Sequence, residues 1–163
     1  MKYINQPVIK KDAYALLSGK PVYTDDLAPA DCLVIKLLRS PHAHARIKSI
    51  DTGAAKRIPG VEAIFTYKDV PASRFTLAGQ TYPEPSPYDR LILDEVVRYV
   101  GDEVAIIVAK NEASALQAMK LIRVEYEVYD AVLDFTKALD HPVIVHAEED
   151  YKPTALSTQK RYL

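Results

Sequence analysis

One cysteine and no tryptophan occur in 163 residues, and glycine appears only five times. Cys32 has no second cysteine to pair with, so an intrachain disulfide framework is excluded. Its place at the head of the apolar run Cys32–Leu38 predicts a buried, inert thiol rather than a reactive one. Like charges never gather into a block, and the formal net charge is −1, so the electrostatic footprint of a nucleic-acid binder is missing. No apolar stretch approaches the roughly 20 residues of a membrane span. Met1–Pro7 also lacks the apolar core of a signal peptide, and the expectation is a cytoplasmic protein that does not engage a membrane. Gly19, Gly53, Gly60, Gly79 and Gly101 stand apart from one another, mostly at turns. A large anionic cofactor needs backbone amides brought close by glycine-rich loops or helix N-termini, and these isolated glycines form no such cradle.

What is present suits one folded domain. Hydrophobic residues make up 48% and charged residues 26%, enough to build a core without disulfides or metal. Eleven tyrosines fit half-buried strands and interfaces equally well. Asp12–Leu17 predicts one helical turn, and Val22–Thr24 a short strand before the acidic turn at Asp25 and Asp26. Cys32–Leu38 is long enough for one strand, and Ser40-Pro41 breaks it, because proline donates no ladder hydrogen bond and restricts the residue before it. Ala45–Ile50 alternates imperfectly as a second strand. Asp51 or Thr52 is placed to cap a short helix through Ile58, which Pro59-Gly60 ends. Val61–Thr66 predicts a third strand, and Pro71 prevents a helix in the turn that follows.

Residues 75–90 hold Gly79, Pro83, Pro85 and Pro87 with few aliphatics, a long stretch without an element, of the kind that serves function or lies against a partner. Val96–Val100 and Glu103–Ala109 predict strands, the latter by a continuous β-branched run suited to burial on both faces. Asn111 is a good N-cap, and Glu112 complements the positive end of the following helix. Ala115, Leu116, Met119 and Ile122 fall at helical spacing on one face. Arg123–Val128 alternates as a further strand. A short helix near Phe135–Leu139 and a strand at Val143–Val145 complete an α+β, or mixed α/β, reading. The polar tail 148–163, interrupted by Pro153, reads as a linker.

Candidate chemistry is sparse. His42 and His44 would project from one face of an extended segment, as a metal pair does, but Cys32, His141 and His146 stand at no recognised ligand spacing. Ser40 beside His42 suggests a nucleophile and base, yet the proline after it and the missing nucleophile elbow favour a turn-initiating hydroxyl. That leaves an independent hydrolase without a supporting constellation. Asp25-Asp26 and Glu148-Glu149-Asp150 lack the spacing of a calcium loop and read as solvated faces. No catalytic, cofactor-binding or metal-binding residue is assigned.

The run RSPHAHARIKSIDTGAAKRIPGV at residues 39–61 resembles the start of the molybdenum-binding subunit in the xanthine dehydrogenase/aldehyde oxidase family. The resemblance continues in order through Gly19–Leu27, Tyr67–Pro71, Val97–Ala105 and Val124–Glu127, spanning residues 10–150. It implies an α/β hammerhead fold: a mixed sheet, a few short helices and one longer helix near 112–122. It also implies a division into an N-terminal segment (1–18), the hammerhead domain (19–147) and a linker (148–163) toward a molybdopterin-binding domain absent from this chain. The implied complete enzyme is a molybdenum hydroxylase, acting on N-heterocycles such as purines or on aldehydes with oxygen drawn from water. Molybdopterin-molybdenum, [2Fe-2S] clusters and FAD belong to that whole. Its glycine-rich pterin loops and catalytic glutamate are expected outside these 163 residues, so the chain alone is expected to be inert. Its implied partners are the molybdopterin-binding domains of the same subunit and the iron–sulfur and flavin subunits or domains. A different class of function, a free-standing binding or regulatory module using the 75–90 loop, is the alternative.

Overall fold

The computed structural model describes residues 4–77, 88–139 and 141–147, and the chain divides into one compact unit ending at Cys32 and a second beginning at Leu33. In the first unit, helix α1 (Ala13–Leu17) stops at a glycine-terminated cap. Gly19 adopts φ +68°, and the Gly19 and Lys20 N–H groups donate to the Leu16 and Ala15 carbonyls at 3.2 and 2.8 Å. The strand expected at Val22–Thr24 does not form. The Asp26 carboxylate accepts the Tyr23 N–H at 2.8 Å instead and closes a 3-10 turn over Thr24–Leu27. Cys32 is exposed, correcting the expectation of a buried thiol. The apolar run enters the sheet only at Val34, so a residue two places earlier has no neighbouring strand to cover it.

The second unit contains strands β1 (Val34–Arg39), β2 (Ala45–Asp51), β3 (Val61–Phe65), β4 (Val96–Val97), β5 (Glu103–Ala109) and β6 (Arg123–Val128), with helix α2 (Glu112–Leu121) between β5 and β6. In place of one mixed sheet, two three-stranded sheets form, in the orders β1-β5-β3 and β4-β2-β6, and every pairing in them is antiparallel. The strands alternate between the sheets, so the chain passes from the first to the second three times: through Ser40–His44, between β3 and β4, and through α2. The α+β class read from the sequence is the architecture found.

Local chemistry explains the boundaries. The Asn111 side-chain oxygen accepts the Ser114 N–H at 2.8 Å and starts α2. Neither Asp51 nor Thr52 caps a helix by its side chain. The Asp51 carboxylate folds onto the Gly53 N–H at 2.8 Å, and only a 3-10 turn, Ala55–Arg57, follows. The strand expected over Val96–Val100 is cut to two residues because the buried Asp102 carboxylate takes the Arg98 N–H at 2.8 Å. Near the end, Phe135–Lys137 makes a 3-10 turn and no strand forms at Val143–Val145, where the Val143 N–H turns back to His141 Nδ1 at 3.1 Å.

α2 covers one face of the β1-β5-β3 sheet, enclosing Ile64, Ala105, Ile107 and Ala109 with Ala115, Ala118 and Ile122. The small alanines on both sides let the helix approach the strands closely. Leu116, expected on this face, is exposed, and Ala118 takes the core position instead. A second cluster gathers Ala45, Ile47, Val97 and Val104. Leu38, Ile50 and Val124 pack against both clusters and so couple the two sheets. Full burial of Ile47 or Ile107 contributes about 2–3 kcal/mol each.

Candidate functional site

The first crossing carries the two histidines read as a possible metal pair. Each finds a separate aromatic partner. The His42 ring meets Tyr126 edge-on at 4.8 Å, and the His44 ring meets Tyr129 at 5.2 Å in the same manner. His44 Nδ1 lies 3.1 Å from the Asp130 carbonyl, so β6 and its continuation hold both rings. Burial alone pushes the Tyr126 phenol above its ordinary pKa. No group of three or more histidine, cysteine or carboxylate side chains stands at metal-holding distance among the described residues.

Ser40, between the strands, is buried. Its hydroxyl accepts the His42 N–H and lies within donating distance of the His42 carbonyl, both at 3.0 Å, the geometry of a turn-closing serine. The Ser40 main chain bridges to β5: its N–H donates to the Asp102 carbonyl and its carbonyl accepts the Gly101 N–H, each at 2.8 Å. Of the other candidates, Asp26 closes its own turn, and His141 accepts the Val143 N–H. Burial pushes His146 below its ordinary pKa, and the nearby Arg98 guanidinium adds to this. The whole tail 148–163, with Glu148, Glu149 and Asp150, and the centre of the 75–90 loop, with Gly79, lie outside the described residues.

A polar junction formed where the chain turns into β5 was not anticipated. Asp102 Oδ2 accepts the Arg98 N–H, and Oδ1 accepts the Glu103 N–H at 3.1 Å and lies 3.3 Å from Arg90 Nη2. The same guanidinium reaches Glu103 Oε2 and the Tyr99 hydroxyl, both at 3.1 Å. Arg39 Nη1 donates to the Gly101 carbonyl at 2.7 Å and to Glu103 Oε1 at 2.9 Å. Arg98 Nη1 pairs with Asp94 at 2.7 Å, and its Nε donates to the Val145 carbonyl at 3.2 Å. Burial opposes ionisation of Glu103, but its own backbone N–H, then Arg39 and Tyr99, outweigh that and hold its pKa below the ordinary value. Burial likewise opposes the Arg90 cation, and Asp102 and Tyr99 more than restore it.

Asp89, Arg90, Leu91, Leu93, Asp94 and Arg98 surround a recess of only about 10 Å³ here, too small for any cofactor. Beside it Asp94 pairs with Arg98, Asp102 with Arg90, and Glu103 with Arg90 and Arg39, an arrangement that fixes the backbone at the entry to β5. The one signal in the sequence is charge density: Asp89, Arg90, Asp94, Glu95, Arg98, Asp102 and Glu103 crowd fifteen positions between apolar runs.

A molybdopterin group does not fit the described residues. Its phosphate would need converging backbone amides, yet a side chain at Gly53 would meet Asp51 Oδ1 at 3.1 Å, and one at Gly60 would meet Ser114 Oγ at 3.0 Å. These glycines admit the chain's own side chains, while Gly19 and Gly101 serve positive-φ turns.

Residues 18–130 match the family described as aldehyde oxidase and xanthine dehydrogenase, a/b hammerhead domain. The chain is 44% identical over 146 residues to a probable hypoxanthine oxidase of Escherichia coli, covering 88% of this chain and 15% of that protein. It is 40% identical over 123 residues to an Escherichia coli xanthine dehydrogenase molybdenum-binding subunit, covering 73% and 16%. Among solved structures, quinoline 2-oxidoreductase from Pseudomonas putida 86 superposes with a TM-score of 0.71 at 37% identity, over 82% of this chain and 17% of that one. The aldehyde oxidoreductase of Desulfovibrio gigas gives 0.71 at 32% identity, over 84% and 16%. This pair of small antiparallel sheets with one covering helix is thus an α/β hammerhead domain. The chain belongs to the aldehyde oxidase and xanthine dehydrogenase family of molybdenum hydroxylases. It spans about one sixth of the length of these relatives. No helix of the described residues is long and apolar enough to cross a membrane.

Proposed function

We propose that this chain is the scaffold segment of the molybdenum-binding subunit of a cytoplasmic molybdenum hydroxylase, with the hammerhead proper over residues 19–147 and a linker beyond. The complete enzyme would hydroxylate an electron-poor carbon of a purine, another N-heterocycle or an aldehyde. Bound molybdopterin-molybdenum would supply the redox chemistry, and [2Fe-2S] clusters and FAD would carry electrons away. The role of this chain's own residues is positional: catalysis and electron transfer between separate groups depend on fixed geometry, and two sheets joined by alternating strands and a shared core make a spacer of fixed shape. The observation that carries the reading is the family match over residues 18–130.

The test has two arms. The purified chain is expected to bind no stoichiometric molybdenum and to oxidise neither xanthine nor an aldehyde. Substituted for the matching segment of the Desulfovibrio gigas aldehyde oxidoreductase, it is expected to preserve molybdenum content and aldehyde turnover. Stoichiometric molybdenum in the isolated chain, or loss of both properties in a folded chimera, overturns the reading.

A further inference from the structure

The β1-β5-β3 sheet has a second face, opposite α2. Register places Ile35, Val108 and Ala63 in one cross-strand row and Leu37, Ile106 and Phe65 in the next. Directly opposed residues share a face, and so do residues two apart on one strand. All six therefore point away from α2, whereas Lys36, Ile107 and Ile64 point toward it; Lys36 pairs with Glu112 of that helix. The six are apolar without exception, yet none belongs to either hydrophobic cluster. Ile35 is 61% and Phe65 39% exposed, and none of the other four is fully buried. A solvated face of an antiparallel sheet normally alternates to polar residues. Three adjacent strands that all refuse a polar residue on the same side describe a face made to be covered.

The occupant follows from proportion. The matched relatives and solved structures carry this domain as 15–17% of their chains, so the sheet belongs to polypeptides about six times its size. We propose that the face Ile35, Leu37, Ala63, Phe65, Ile106 and Val108 is the surface on which the rest of a molybdenum-hydroxylase large subunit docks, whether carried on the same polypeptide or supplied by another. The partner surface is apolar and protein in nature. This assignment rests on the scaffold reading above and locates its main contact.

The experiment supplies this chain, as a separate polypeptide, to the Escherichia coli xanthine dehydrogenase molybdenum-binding subunit from which the matching segment has been removed, and measures co-purification. Ile35→Glu with Phe65→Glu tests the face, and Lys48→Glu, on the exposed side of β2, is the control. Ile35→Thr with Phe65→Thr keeps strand-favouring residues should the glutamates disturb folding, and circular dichroism checks each variant. Co-purification of the wild-type and Lys48→Glu chains, with about a tenfold loss for the face variants, is the result expected of two central apolar anchors. Undiminished binding by folded face variants overturns the docking face while leaving the scaffold reading intact. Failure of the wild-type chain to associate overturns the scaffold reading, and the docking face with it.

Discussion

Ser40 and Asp102 are joined main chain to main chain, the Ser40 N–H donating to the Asp102 carbonyl at 2.8 Å. Sixty-two residues apart, they fasten the exit from β1 to the entry into β5, the two strands that pair along the first sheet. The Asp102 side chain extends the same fastening to Arg98, Glu103 and Arg90. Asp102 is thus a structural carboxylate, and its removal strands a partly buried guanidinium and two backbone donors.

Asp102→Ala is accordingly expected to lower unfolding free energy by about 3 kcal/mol, the scale for breaking one side of a buried, hydrogen-bonded charge pair. Asp102→Asn retains one acceptor and is expected to lose about half as much. Urea unfolding at neutral pH measures both. A loss under about 1 kcal/mol for alanine would make the junction an ordinary surface ion pair.

Glu103 gives the junction a pH dependence. Its pKa in the folded chain lies below the ordinary 4.5, so the folded state binds its proton less readily than the unfolded chain does. The associated stability is fully present above the unfolded pKa and is lost as pH falls through the folded value. Stability is expected to hold between pH 7 and about 5 and to decline below 4.5, and Glu103→Gln is expected to make that decline shallower. Denaturant titrations across the range check the slope. The Tyr126 phenol, raised by burial, acts in the opposite arm, its contribution present below pH 10 and lost as pH rises through the folded value.

The elements legible in the sequence are those whose pattern matches their final surroundings. Glu103–Ala109 is β-branched because it is the central strand of its sheet, and Asn111 announces α2 because the cap hydrogen bond is local. Family resemblance carried the architecture, through Arg39–Val61 above all. What stayed hidden depends on distant partners. Cys32 looks apolar by its neighbours, but its burial turns on whether a strand lies beside it. The Val96–Val100 strand ends early because of one carboxylate at Asp102, and Arg39 meets Glu103 across 64 positions, a pairing no local pattern encodes.

The face of α2 is a further point of disagreement between pattern and packing. Leu116 is exposed, whereas Ala118 is fully buried against the sheet. Leu116→Ser is expected to change stability by less than about 0.5 kcal/mol, and Ala118→Leu to lower it by about 1–3 kcal/mol through overpacking. Thermal unfolding of the pair checks that Ala118, and not Leu116, stands with Ala115, Met119 and Ile122 on the covered face.

The start of α2 is tied to the turn at Pro59-Gly60. Ser114 Oγ donates to the Pro59 carbonyl at 2.9 Å, and the Lys110 N–H donates to the Gly60 carbonyl at 2.8 Å. Gly60 sits at φ +87°, where an added Cβ would lie 3.0 Å from Ser114 Oγ. Gly60→Ala therefore meets two separate penalties: the left-handed backbone, about 1–2 kcal/mol for an L residue, and the crowding of a hydroxyl already engaged. Ser114→Ala removes that hydroxyl and forfeits its hydrogen bond, about 1 kcal/mol. The double variant is expected to be more stable than the sum of the two losses implies, by about 0.5–1 kcal/mol, because with the oxygen gone only the backbone penalty remains at position 60. Urea unfolding of both single variants and the double variant measures that coupling. Strict additivity would assign the whole Gly60 requirement to φ and none to the close approach of Ser114.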